Sequence, residues 1–309
     1  MTNVETVIDV RGLTKVYGDK TVVDHFDLKV PRGAVYGFLG PNGSGKTTTI
    51  RMVCGLLVPN DGSGTCLGFD VIEQSDEIKK RVGYMTQKFS LWEDLTIREN
   101  LEFVARMYEM DKRNERVDET LKDLGLYARA NQLAGSLSGG WKQRLALAAC
   151  MMHEPELLLL DEPTAGVDPK ARREFWDTIH DVADRGVTIL VSTHYMDEAI
   201  QCDYIAYIAY GKKLIDAPSH ELVERVGLHT WRVEGKGLSA LSKKLTGANG
   251  VENVARFGTA LHVSGMDANA LRQAISPYLN DENLNWQEKK PGLEEVFIHL
   301  MTKTEDNFK

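Results

Sequence analysis

Along the first 30 residues apolar and polar positions alternate, as TVIDV and then TVVDHFDLKV, with a break at YGDK (17–20). A period of two puts successive side chains on opposite faces of a strand, so this segment is expected to be an antiparallel pair around a turn. The pattern then changes. AVYGFL (34–39) is a continuous apolar run, and GKTTTIRMVCGLL opens a helix behind it. A further β segment is expected near GSGTCLG, and GYMTQ (83–87) reads as a strand end at Gln87. From Thr96 to about Met152 apolar positions recur at helical spacing, through TIRENLEFVARMYEM, NERVDETLKDLGL and the stretch after LSGG. LLLLD (157–161) and VTILVST (187–193) are short apolar runs of the kind that form central parallel strands. Helical KARREFWDTIHDVADRG lies between them, with Gly186 as its cap. DYIAYIAYGKKLID reads as a hairpin and SHELVERV as a short helix.

Strand and helix alternate through residues 34–215, which predicts an α/β core with a largely parallel sheet and a helical insertion at 96–152. After Gly227 the character shifts. HTWRVEG, GLSALSKKL, VENVARF, TALHVSG, ANALRQAISPYL and LEEVFIHLMTK spell β-α-β-β-α-(β)-α, a small α+β module. The expected organisation is one domain over 4–226, a boundary near 226–229, and a second domain over 229–309.

Composition changes this picture little. At 309 residues, 42% hydrophobic and 27% charged, the chain reads as an ordinary soluble globular protein. A formal net charge of −8 argues against a general nucleic-acid binder. No apolar run follows MTNVETVIDV as in a signal peptide, and LLLL (157–160) falls far short of the roughly 20 residues of a membrane span. The expected place is therefore the cytosol, with any membrane role exercised through a partner. Cys54, Cys66, Cys150 and Cys202 are scattered without a C-x-x-C pair, and read as small buried hydrophobes.

Chemistry enters at GPNGSGKT (40–47), which fills the template G-x-x-x-x-G-K-[ST] after a strand and before a helix. The glycines Gly40, Gly43 and Gly45 let the backbone wrap close to oxygen atoms with the loop's N–H groups pointing inward, and Pro41, Asn42 and Ser44 complete this nucleotide-binding loop. Lys46 would neutralise β- and γ-phosphate charge, Thr47 would join a Mg²⁺ shell, and Thr48 at the helix start is counted with the nucleotide-binding residues. LLLLDEP (157–163) complements it. An apolar strand ending in two acids puts Asp161 and Glu162 beside the loop, Asp161 to hold Mg²⁺ and Glu162 to orient or deprotonate water. A second anion turn, Ser138-Gly139-Gly140, opens a helix nearly a hundred residues after the first.

With GPNGSGKT, LSGG and LLLLDEP in this order, residues 4–225 resemble the ATP-binding subunits of ATP-binding-cassette (ABC) transporters. The resemblance implies that adenine stacks on Tyr17 and that Gln87 senses Mg²⁺ and the transport partner. Asp168 in AGVDP would lie near a dimer seam, and His194 in STHYMDEA would be the switch histidine. It also implies a head-to-tail dimer with two ATP between protomers, so that Ser138, Gly139 and Gly140 face the γ-phosphate held by the partner. Glu162 is then the general base, with Lys46 and His194 assisting. Trp141 departs from the family's usual LSGGQ; it reads either as an apolar plate at the seam or as a core anchor at the helix head.

STHYMDEA, GVDP and the closing PGLEEVFIHL (291–300) are most similar to the ATPase subunits of ABC-2-type exporters, which serve drug, polysaccharide or lipid efflux. The implied partners are an integral membrane permease subunit and a second copy or paralogous ATPase, at the cytoplasmic face of the membrane. The implied cofactors are ATP and Mg²⁺. KFSLWEDLTIRENL (88–101) carries Phe89, Leu91 and Trp92 on a loop that reads as exposed, either a docking surface for the membrane subunit or side chains folded back on the helical insertion. A mechanotransmission ATPase, acting on a membrane partner without moving a substrate, is the alternative function. One motif set and a short insertion disfavour translation-factor and DNA-repair relatives.

Overall fold

The computed structural model of this chain describes residues 5–302. Residue 4 of the expected first domain and residues 303–309 of the second lie outside that range. The described chain forms two compact units, the first running to Ile215 and the second starting at Asp216, eleven residues before the helix-to-strand break read from sequence.

The first unit opens with β1 (Thr6–Tyr17) and β2 (Lys20–Pro31), an antiparallel pair in which Tyr17 opposes Lys20 across the turn. After β3 (Val35–Leu39) and α1 (Lys46–Val53), β4 (Asp61–Cys66) returns to pair antiparallel with β1, and β5 (Phe69–Asp70) borders it. This gives a sheet in the order β2-β1-β4-β5. The chain continues through α2 (Ser75–Lys79), β6 (Val82–Met85), α3 (Ile97–Met107), α4 (Arg113–Asp123) and α5 (Gly139–Met151). It then runs through β7 (Leu157–Asp161), α6 (Pro169–Asp184), β8 (Thr188–Thr193), α7 (Met196–Ala199), β9 (Tyr204–Ala209) and β10 (Lys212–Pro218). The second sheet has the order β10-β9-β3-β8-β7-β6, and its inner neighbours are parallel.

The apolar runs determine who is central. Every residue of β3, β7 and β8 is buried, as expected for strands covered on both faces. The antiparallel sheet, α1 and the parallel sheet share one core, where Ile8, Leu13 and Phe26 meet Phe38, Ile50, Leu159 and Leu190. Phe26 and Phe38 meet edge-on with centroids 5.8 Å apart, joining the two sheets. The helical insertion has a core of its own, from Ile97 and Leu101 on α3, Val117 and Leu121 on α4, and Leu145 and Ala148 on α5. Thr96 starts α3 with a capping box: its hydroxyl accepts the Glu99 amide and the Glu99 carboxylate accepts the Thr96 amide.

The second unit contains α8 (Leu222–Val226), β11 (His229–Gly235), α9 (Leu238–Leu245), β12 (Asn253–Phe257), β13 (Ala260–Gly265), α10 (Ala268–Ile275), β14 (Leu284–Lys289) and α11 (Leu293–Thr302). Its sheet is antiparallel in the order β12-β13-β11-β14, with Val233 and Val263 packed against Leu241, Leu245 and Leu271. The β-α-β-β-α-β-α order is the one its periodicity predicts.

Cys54, Cys66 and Cys202 are buried, and burial pushes the Cys54 thiol up to about 11 and raises the other two as well. Near neutral pH little thiolate is present to react. Alkylation of the native protein followed by peptide mass mapping should find these three unmodified, and unfolding in denaturant should expose all of them.

Candidate functional site

The parallel sheet brings the ends of β3, β7 and β8 to one edge, and the predicted chemistry gathers there. Between β3 and α1 the chain turns tightly enough that a Cβ on Gly40 would strike the carbonyl of Ile208 on β9. Gly45 has φ +102, and a Cβ there would sit 2.8 Å from the Val22 carbonyl oxygen. Any other residue is strained at that position whatever the space. Inside the turn the Ser44 hydroxyl is buried and has no hydrogen-bond partner among the described residues. A buried hydroxyl with no protein partner at this turn is available to a ligand oxygen.

Lys46 folds back over its own loop. Its buried ammonium donates to the carbonyls of Gly40 at 2.8 Å and Pro41 at 3.1 Å and lies 3.4 Å from Glu162 Oε1. Burial lowers its pKa, and the Glu162 charge opposes that shift. Thr47 donates to Asp161 Oδ1 at 3.0 Å. The same oxygen accepts from Ser192 Oγ at 2.7 Å, and Ser192 Oγ in turn accepts the Glu162 amide at 3.0 Å. Ser192 escaped the sequence reading. The register β7 to β8 pairs it directly with Asp161, and a serine amid VTILV was the available signal.

Glu162 is nearly buried and holds φ +47, a left-handed conformation that a non-glycine residue keeps only where its surroundings enforce it. Gln87 Nε2 donates to its Oε2 at 2.9 Å, and His194 Nδ1 lies 3.3 Å from the same oxygen outside hydrogen-bond alignment. β6 ends at Met85, so Gln87 stands two residues beyond the strand and not at its end. Gln87 and Glu162 border a cavity of about 290 Å³ lined also by Asn42, Lys46, Thr47 and Thr48, while Asp161 and His194 do not line it. The donor set around Thr47 and Asp161 consists of hard oxygens with few protein ligands, which fits a magnesium ion that keeps water and phosphate in its shell.

Other predicted residues lie elsewhere. Tyr17 is the last paired residue of β1, not part of the loop after it; the residue is 51% exposed, and it does not line the cavity. Ser138 stands at the N-cap of α5 with its hydroxyl making no cap bond, and Gly139 and Gly140 begin the helix. A Cβ on Gly140 would come within 2.7 Å of Ala171 Cβ, so this glycine lets α5 approach α6. Asp168 caps α6, accepting from the Lys170 and Ala171 amides at 3.1 Å each. Exposed Ser138, Gly139 and Asp168, with half-buried Gly140, thus form a second grouping that does not line the cavity.

Trp141 is half-buried against the core of the helical insertion, with the guanidiniums of Arg129 and Arg144 at 4.6 Å and 5.3 Å from its ring centroid. Phe89 and Leu91 fold back on that same core. Trp92 stays 44% exposed, its ring edge-on to Phe103 at 4.2 Å. The fully buried Asn100 accepts the Trp92 amide at 2.9 Å and returns its side-chain amide to the Trp92 carbonyl, fixing the loop.

A sheet of this topology with a glycine-rich turn, a basic residue and paired acids at one edge defines a P-loop nucleotide-binding fold. Residues 23–165 match the family model described as ABC transporter. The chain is 34% identical over 298 residues to the Nod factor export ATP-binding protein I of Cupriavidus pinatubonensis, covering 95% of this chain and 90% of that protein. It therefore belongs to the ABC transporter family. It is also 46% identical over 220 residues to the probable multidrug ABC transporter ATP-binding protein YbhF of Escherichia coli, covering 71% of this chain. It spans only 38% of that relative's length. A dimeric ATP-binding cassette solved in a post-hydrolysis state with ADP and Pi superposes with TM-score 0.62 at 27% identity, over 68% of this chain and 98% of the other.

Gly45→Ala should weaken binding of a triphosphate ligand by about fivefold or more, since backbone strain of roughly 1–3 kcal/mol falls on this turn. A fluorescence titration with a labelled nucleoside triphosphate measures this.

Proposed function

We propose that this chain is the ATP-binding and ATP-hydrolysing subunit of an ABC-2-type exporter, acting at the cytoplasmic face of a membrane through a separate permease subunit. The carrying observation is the convergence of Lys46, Gln87 and His194 on the buried Glu162 beside the cavity. ATP is the substrate: its β- and γ-phosphates would lie along residues 40–48, taking the amides of the turn and the free Ser44 hydroxyl. A triphosphate arriving there displaces Glu162 as the counter-charge of Lys46. Glu162 is then released to accept a proton from water, whose oxygen attacks the γ-phosphorus as the bond to the ADP oxygen breaks. His194 donates a hydrogen bond to the γ-phosphoryl oxygens, and Gln87 keeps Glu162 oriented. Mg²⁺, when bound by Thr47 and Asp161 with Gln87 nearby, supplies charge neutralisation on the phosphates. Tyr17 would take the adenine ring on its exposed face.

The exposed Ser138 turn with an uncommitted hydroxyl supports the head-to-tail dimer reading. Two copies, or one copy with a paralogous ATPase, would present Ser138, Gly139, Gly140 and Asp168 to the nucleotide held by the other. The packing of Trp141 into the helical insertion favours its role as a core anchor. Names of relatives that export drugs or Nod factors support the exporter class, and selectivity would reside in the membrane subunit.

Glu162→Gln should lower turnover by at least about 100-fold while ATP still binds, because general-base catalysis alone contributes on the order of 10²–10⁴. Phosphate release and nucleotide titration on the same preparation check it; parental turnover would remove Glu162 from the base role. Trp92→Ala should reduce co-purification with the membrane subunit, since an exposed aromatic anchor contributes about 2 kcal/mol or more to an interface. Nucleotide affinity should be unchanged, and undiminished co-purification would refute the docking role.

A further inference from the structure

Glu198 is a buried acid that this mechanism leaves unused. It lies in the short helix α7, four residues beyond His194, and is only 1% exposed. An uncompensated carboxylate in such a place costs several kcal/mol, so its partners define what it is for. They come from three separate segments. The Thr164 hydroxyl donates to Oε1, and the Thr193 hydroxyl donates to Oε2 at 2.6 Å. Arg172 Nε, on the first turns of α6, lies 3.4 Å from Oε1.

Two of these segments carry residues of the site, and the third opens the helix that Asp168 caps. Thr164 follows Glu162 by two residues, in the turn where the Ala165 amide bonds the Glu162 carbonyl at 3.2 Å. Thr193 immediately precedes His194, and its hydroxyl also accepts the Tyr195 amide at 3.0 Å, which bends the backbone around His194. Arg172 donates its backbone amide to the Asp168 carbonyl at 2.9 Å and stacks its guanidinium on Tyr195 at 4.2 Å. It also reaches Asp197 at 3.5 Å. The carboxylate thus ties the turn carrying Glu162 to the turn carrying His194, and both to the start of the helix that Asp168 caps. Both hydroxyl partners are themselves nearly fully buried.

We infer that Glu198 is a positioning residue, whose carboxylate holds His194 and Glu162 in mutual register and links that register to the Asp168 segment. The inference rests on the proposed roles of Glu162 and His194. Burial favours this use of an acid: two oxygens accepting from two different loops transmit a shift in either one, whereas an apolar side chain would fill the space without fixing direction.

The test uses the full chain and measures kcat, KM for ATP, nucleotide affinity and the thermal midpoint. Glu198→Gln, which keeps the shape but removes the charge facing Arg172 and one acceptor, should lower kcat about tenfold or more with KM and nucleotide affinity within twofold of the parent. Thr193→Val, which cuts the tie to Glu198 together with the bond from the Tyr195 amide, should do the same, and Thr193→Ser should restore near-parental kcat because it returns the hydroxyl. The double variant Glu198→Gln with Thr193→Val should be no slower than the slower single, as for groups acting as one unit. Parental kcat in Glu198→Gln and Thr193→Val would overturn the proposal. So would equal turnover in the Val and Ser variants, or a loss of kcat matched by losses of affinity and thermal midpoint. Glu162→Gln is run alongside. If it is inactive while Glu198→Gln is not, only the positioning role fails; if it keeps parental turnover, the site reading fails and the positioning role with it.

Discussion

The ion pair of Lys46 with Glu162, buried at the edge of the parallel sheet, is the constraint around which the rest of the first unit is arranged. Two opposite charges withdrawn from water are tolerated only when the remaining donors and acceptors are met. The carbonyls of Gly40 and Pro41 meet those of the lysine, and Gln87 meets one carboxylate oxygen. This sets the demands on the scaffold. The turn before α1 has to be glycine-rich so that its carbonyls can reach back to Nζ, and β7 has to end where Glu162 meets that turn.

The sheet supplies this alignment. Parallel neighbours place β3, β7 and β8 with their carboxyl ends together, so the turn after each strand opens on one edge. Asp161 faces Ser192 across the register, and Leu39 faces Thr193, which brings the phosphate turn, the acids and His194 within a few residues of one line. The strain at Glu162, with its positive φ, is held by bonds on both sides: the amide is committed to Ser192 and the carbonyl to the Ala165 amide. Energy stored in such a residue is repaid by the packing around it.

Outside this edge the chain uses apolar packing to set surfaces. The helical insertion has its own core, and Trp141, Phe89 and Leu91 lean into it while Trp92 stays out. In the second unit the helix of the LEEVF segment buries Val296 and Phe297 with two polar residues, Glu295 and His299. Glu295 accepts the His262 ring at 2.6 Å and the Gly292 amide at 2.8 Å, so this helix is seated by hydrogen bonds as well as by apolar contact.

The elements and the glycine-rich turn before α1 were legible in the linear chain because both are local. A period of two, a period of 3.6 and an unbroken apolar run each arise from neighbouring residues, and GPNGSGKT carries its glycine and lysine spacing within eight positions. LLLLDEP likewise declares a strand end with two acids. What the residues could not declare was long-range register. That Ser192 would bridge Asp161 to the Glu162 amide, that Asn100 would pin Trp92, and that Glu198 would gather Thr164, Thr193 and Arg172 all depend on which strands and helices become neighbours. The same holds for the seating of the Trp141 ring, which rests on the core that the helical insertion forms once folded. Local pattern determines what each segment can form; only tertiary packing decides which distant polar atoms must satisfy one another once water is excluded.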